Sequence, residues 1–139
     1  MIRWVKGILY RDGKVLIAKL RKADPLINRI VWTFPYIQLS QGQSPRKAAK
    51  KLFEEDLSFK NIKIDKFLIK HVPSENAKIE QYYYRIDPGI GNPIPCDKFS
   101  EYTWVNPTQV LKYFTTSINK ELMDYLRSLE KTGKGIIIE

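Results

Sequence analysis

The sequence predicts an α+β fold: a sheet built from hairpins, one internal helix and a helical C-terminal end. Three observations carry this. Runs rich in β-branched and aromatic residues, bounded by turn residues, fill most of the first 105 positions. Residues 44–57 interrupt them with apolar positions at helical spacing. After Asn106-Pro107 the helical period returns.

Residues 3–10 and 14–22 are strand-like runs joined by Asp12-Gly13, a strong hairpin signal. Alternation sends Val15 and Ile17 to one face and Leu16 and Ala18 to the other. A polar loop containing Pro25 follows, then a strand over 30–34 that Pro35 breaks and an extended piece over 36–39. Trp32 and Phe34 share a face and are expected in the core. Ser44-Pro45 opens a helix over 44–57, with Ser capping free N–H groups and Pro in the first turn. Ala48, Ala49, Leu52, Phe53 and Leu57 form its apolar stripe. Residues 61–72 and 78–86 form the next antiparallel pair, with a bulge or twist expected near Asp65-Lys66, where the alternation shifts. Residues 87–98, rich in Pro and Gly, are a long connection of the kind that serves as a lid or stays mobile. A last strand over 99–105 leads to a helix running from Asn106-Pro107 to residue 114 and an amphipathic helix over 117–129. Gly133 and Gly135 are expected to end that helix and leave residues 136–138 as an extra strand or a partner-binding tail.

A chain of 139 residues with 43% hydrophobic and 12% aromatic content has material for one domain, residues 1–139, with a real core. The formal net charge of +9 favours anionic partners such as nucleotides or RNA, although a Lys-rich solvated surface has the same composition. One cysteine, Cys96, and one histidine, His71, exclude an intramolecular disulfide and a cysteine zinc cluster. No apolar run is long enough to span a membrane and the N-terminus lacks a signal-peptide layout, so the expected location is the cytosol. Heavy use of Lys and Ile is compatible with a thermophile, and genome base composition produces the same bias.

Residues 31–59, VWTFPYIQLSQGQSPRKAAKKLFEEDLSF, resemble the Nudix box: Gly, five residues, Glu, seven residues, then Arg-Glu-apolar-x-Glu-Glu-x-Gly-apolar. Trp32, Phe34-Pro35, Gly42, Ser44-Pro45 and Ala48 supply the surrounding frame. The leading Gly falls on Ile37 and the first Glu on Gln43; the Arg falls on Lys51 and its following Glu on Leu52. Phe53 keeps the apolar position, Glu55 and Asp56 keep the acidic pair, and Ser58-Phe59 stand at the closing Gly-apolar. The element order and the ending, with Glu101 three before Trp104-Val105, are also family-like.

The resemblance implies a Nudix-like α/β/α sandwich with a mixed central sheet. It implies helix carboxylates that hold Mg²⁺ or Mn²⁺ against a nucleoside diphosphate-linked substrate. Glu55 and Asp56 are then the metal ligands, and Glu55, Asp56 and Glu101 the catalytic carboxylates, with Glu75 and Glu80 as weaker candidates. Lys19 and Arg21, on one strand face, Lys51, and one rim tyrosine, Tyr84, are the candidate substrate contacts, against a solvated strand edge for the first two, surface ion pairs for Lys51 and sheet packing for the tyrosine. Leu52 removes a carboxylate used for metal or base duty, and Ile37 replaces a Gly whose carbonyl approaches the metal. Binding of a nucleoside diphosphate-linked ligand or a phosphorylated RNA end, with weak or no hydrolysis, is the expected outcome. An active pyrophosphohydrolase using Glu55, Asp56 and a further carboxylate is the alternative, and a non-catalytic interaction module a third.

Overall fold

A computed structural model describes residues 2–24, 29–73, 77–114 and 118–138, with the backbone alone from residue 131. Seven strands form one mixed sheet: β1 (Ile2–Arg11), β2 (Lys14–Leu20), β3 (Trp32–Thr33), β4 (Tyr36–Gln38), β5 (Lys63–His71), β6 (Ile79–Asp87) and β7 (Phe99–Val105). Between β4 and β5 lie α1 (Pro45–Lys51) and a π-helical segment, Leu52–Asp56. A 3₁₀ helix, Pro107–Lys112, and α2 (Lys120–Ile138) complete the chain.

The hairpin predicted at Asp12-Gly13 is present, with φ of 52° and 82° at its two residues, the left-handed pair that a two-residue turn needs. β1 and β2 stay paired only at Tyr10↔Val15 and Arg11↔Lys14. They then diverge. β1 runs parallel to β6 from Ile2↔Ile79 to Leu9↔Ile86, and its other edge takes β4 through Val5↔Ile37. β2 pairs with β7 and, through Ala18↔Thr33, with β3. The β5–β6 register shifts between Ile64 and Lys66, where the broken alternation placed a bulge, and again between Phe67 and Ile69.

Side-chain alternation sorts the core into two layers. Leu16 and Ala18 face Ala48, Ala49, Leu52, Phe53 and Leu57 of the central helix. Val15 and Ile17 face Val110 of the 3₁₀ helix and Leu122, Leu126 and Leu129 of α2. This is an α/β/α sandwich. Trp32 and Phe34 join the α2 layer, Phe34 in edge contact with Tyr83 and Phe114. Gly7 permits the closest approach in the other layer, because a Cβ there would collide with the Phe53 ring.

Two details differ from expectation at the C-terminal end. Asn119 caps α2, its Oδ1 accepting from the Glu121 N–H at 2.8 Å and the Leu122 N–H at 3.3 Å. The helical backbone then runs through Gly133 and Gly135 to Ile138, so residues 136–138 are helix rather than strand. Glycine costs about 1 kcal/mol relative to alanine inside a helix and stops it only where the chain turns left-handed. The expected helix start at Ser117, Pro25 and Glu75 lie outside the described residues. Among the described residues no helix is long and apolar enough to cross a membrane.

Candidate functional site

The approach to the central helix is built without the signature residues. Ile37, at the place of the leading Gly, is an ordinary strand residue opposite Val5. The turn that follows closes on Gln43. Its N–H donates to the Ser40 carbonyl at 3.0 Å and its side-chain Oε1 accepts from the Ser40 N–H at 3.0 Å. The amide oxygen thus performs the local capping that a carboxylate there could perform. Ser44 Oγ accepts from the Lys47 N–H at 3.4 Å, and Pro45 occupies the first turn, as the sequence implied. A cavity of about 640 Å³ opens beside this turn, lined by Ile2, Arg3 and residues 38–43.

The expected single α-helix over 44–57 changes period in its second half. Over Leu52–Asp56 it widens to π geometry, with the Leu57 N–H reaching back to the Leu52 carbonyl at 3.0 Å. Leu52 and Phe53 are driven into the core at 1% and 0% exposure. The three acidic residues part company. Glu54 accepts from the Ile62 N–H at 3.2 Å and pins the chain returning to β5. Glu55 and Asp56 are exposed at the end of the π segment. Ser58, where the closing Gly is missing, still takes the left-handed turn at φ 69°.

Facing this end is a cluster that the sequence reading did not single out. The Ile94 N–H donates to the Leu57 carbonyl at 3.3 Å and lays the 87–98 connection against the π segment. Lys98 follows it. Its Nζ donates to the Tyr36 carbonyl at 3.2 Å and sits 3.9 Å from the centre of the Tyr36 ring. Burial lowers the Lys98 ammonium pKa, and the Asp56 carboxylate opposes that shift. Tyr36 stacks on Trp4 at 4.8 Å and meets Phe99 edge-on at 6.1 Å. On β1, Lys6 Nζ lies 5.9, 5.4 and 5.8 Å from the Trp4, Tyr36 and Tyr83 ring centres and donates to Thr33 Oγ1 at 3.4 Å. Burial pushes its pKa down to about 8, with Asp24 opposing. Tyr36 is pushed up to about 12 by burial and then by Asp24. Tyr102, whose hydroxyl donates to the Ile94 carbonyl at 2.8 Å and lies 3.7 Å from Cys96 Sγ, is also raised, chiefly by burial. No spacing in the sequence marks this cluster, because its contacts join positions as far apart as Tyr36 and Lys98.

The residues expected to meet substrate are dispersed. Lys19 sits across from Glu101 in the β2–β7 register, and the two form an ion pair of 3.6 Å. Arg21 donates to the Cys96 carbonyl at 3.0 Å and the Phe99 carbonyl at 3.4 Å, bracing the loop that carries Lys98. Lys51 is exposed on α1. Tyr84 is not a rim residue: it is 7% exposed, packed under Phe67, with the Arg46 guanidinium 5.9 Å from its ring centre. Its strand direction turns it into the helix layer with Ile86. Glu80 is taken up by Arg3, Lys70 and the Tyr82 hydroxyl. The long connection is not loose either. Arg11 donates to the carbonyls of Pro88, Gly89 and Gly91, and Lys60 and Ile90 exchange backbone hydrogen bonds.

Among the described residues no three His, Cys, Asp or Glu side chains gather as a metal-holding group, so Glu101 does not join Glu55 and Asp56 as a third ligand. The position of the second box carboxylate is filled by a core leucine. Glu55 and Asp56 remain as two exposed carboxylates of the kind that hold Mg²⁺ together with substrate phosphates.

No family model matches the sequence, and no curated protein matches it. Solved structures do. A Nudix hydrolase from Nitrosomonas europaea superposes with a TM-score of 0.73 at 16% identity, covering 91% of this chain and 70% of that one. The ORF135 protein of E. coli matches with a TM-score of 0.69 at 20% identity over 94% and 89% of the two chains. An Ap4A hydrolase from C. elegans matches with a TM-score of 0.69 at 13% identity over 97% and 99%. The chain has the Nudix fold, as residues 31–59 implied.

Proposed function

We propose that the protein binds a nucleoside diphosphate-linked ligand and hydrolyses it weakly or not at all. The observation that carries this is Leu52: it stands at a box carboxylate and is 1% exposed, so the pocket has lost charge and gained core at that point. The Nudix fold and a net charge of +9 support a phosphate-bearing ligand. Neighbours of the same fold include proteins named as an Ap4A hydrolase and a UDP-X diphosphatase. A phosphorylated RNA end presents the same phosphate chemistry.

A panel of nucleoside diphosphate derivatives and 5′-phosphorylated RNA, assayed with Mg²⁺ or Mn²⁺, tests the reading. Saturable binding that weakens steeply with salt, without release of phosphate or pyrophosphate, is the expected outcome. Turnover that Glu55→Ala abolishes would instead establish an active pyrophosphohydrolase. Neither binding nor turnover would leave an interaction module.

A further inference from the structure

We propose that the cavity at the turn of the β1–β2 hairpin binds one nucleotide unit of a single-stranded RNA, with the base on Trp104 and the phosphate on Lys14. The cavity measures about 440 Å³ and is lined by Arg11, Asp12, Lys14, Asn92 and Trp104. Small-ligand sites span roughly 300–1,000 Å³, so there is room for one nucleotide. Neither Glu55 nor Asp56 lines it, so this site goes beyond the ligand binding proposed above and does not depend on it. Strand register explains why its side chains meet. Arg11 and Lys14 are direct partners across the hairpin, and Leu16, two positions on from Lys14, is opposite Trp104. Alternation therefore turns Lys14 and Trp104 to one face of the sheet, with Arg11 beside them.

Arg11 is a fixed charge. Its guanidinium lies 5.3 Å from the Phe59 ring centre and 5.2 Å from that of Trp104, and it donates to the Gly91 carbonyl at 2.6 Å. That last contact sets the loop so that Asn92 lines the cavity. Lys14 is exposed, and among the described residues it makes no hydrogen bond or ion pair. Asp12, in the turn between the two cations, closes an ion pair with neither. Like charges directly opposite on a sheet are destabilising. A pair kept so beside a half-buried indole suits an anion that carries an aromatic part, and a nucleotide has both. Stacking on an indole tolerates any base, and Lys14 supplies a charge-assisted hydrogen bond to phosphate. The Asn92 amide offers donors and an acceptor to a base edge. The Asp12 carboxylate repels phosphate but accepts from ribose hydroxyls, which favours RNA over DNA.

The test uses the full chain and a 5′-hydroxyl decauridylate labelled with fluorescein at its 3′ end, titrated by fluorescence anisotropy in excess EDTA. This strand has no 5′-phosphate and the solution no free metal, which separates the cavity from the site at Glu55 and Asp56. Wild type is expected to bind saturably. Trp104→Leu, which keeps apolar packing, is expected to weaken binding about tenfold, the scale of one lost base stack, and Trp104→Phe to keep most of the affinity. Lys14→Gln is expected to weaken binding and to reduce the slope of log affinity against log salt by about 0.7, one phosphate contact on a single strand. Lys47→Gln, which removes an equal exposed charge from α1, is expected to leave affinity close to wild type. Circular dichroism confirms that each variant is folded, and the exposed Lys14 keeps the test decisive should Trp104→Leu unfold. Absent binding by wild type, equal losses from Lys14→Gln and Lys47→Gln, or an oligodeoxyuridylate bound as tightly as the RNA, overturns the proposal.

Discussion

Lys6 enters the interior from the middle of β1 among Trp4, Tyr36 and Tyr83, and its ammonium donates to Thr33 Oγ1. Cation–π contact offsets only part of the loss of water. The result is a side chain whose pKa falls from 10.5 to about 8 through burial. The unfolded chain titrates near the higher value, so between pH 8 and 10.5 it holds the proton more often than the folded chain does. Stability attributable to this residue therefore rises with pH across that window. Lys6→Met is expected to exceed wild type by roughly 1–2 kcal/mol at pH 7, less than the full shift because Lys6 keeps some exposure. The difference should shrink toward zero as the pH approaches 10.5. Urea unfolding at pH 7 and pH 10 measures it, and a pH-independent gap would show that burial of charge is not the cause. Nothing in the spacing of residues 2–11 marks Lys6 as different from the chain's other lysines, because its environment is made by β4, β6 and the loop after β2.

The central helix shows what a pattern of residues can and cannot convey. Its start was readable because capping is local: Ser44 and Pro45 act within one turn of themselves. Its apolar stripe was readable because burial repeats every turn. The helical period also separated Glu54 from the Glu55-Asp56 pair; what it did not convey is that Glu54 meets the Ile62 N–H, a contact eight residues on that follows the π segment. Tyr84 failed for a related reason, since alternation assigns a face but not whether a helix covers it. Rebuilding the signature by Leu52→Glu with Gln43→Glu tests this element. Leu52 packs in the core, so the double variant should lose at least about 3 kcal/mol in thermal or urea unfolding, through lost burial and a desolvated carboxylate. A stable variant that binds Mn²⁺ would mean that the helix rotates Leu52 out of the core.

At the scale of the whole molecule, the sheet order β3-β2-β1-β6-β5 leaves β5 at an edge. Exposed Lys63, Lys66 and Lys70 and two register shifts blunt it, which matters because Phe67 on the same strand is 47% exposed. Lys63→Val with Lys66→Val should therefore increase self-association, read by light scattering at matched concentration, while leaving the secondary structure unchanged. Unaltered scattering would show that the bulges alone guard the edge. The divergence of β1 and β2 after Arg11↔Lys14 reaches further than architecture. β1 gains its long parallel partner only when residues 79–86 exist, so a ribosome must emit the chain as far as β6 before β1 can settle. Synthesis that stalls midway leaves that N-terminal hairpin waiting for a neighbour, a period in which chaperones, rather than the protein's own contacts, decide its fate.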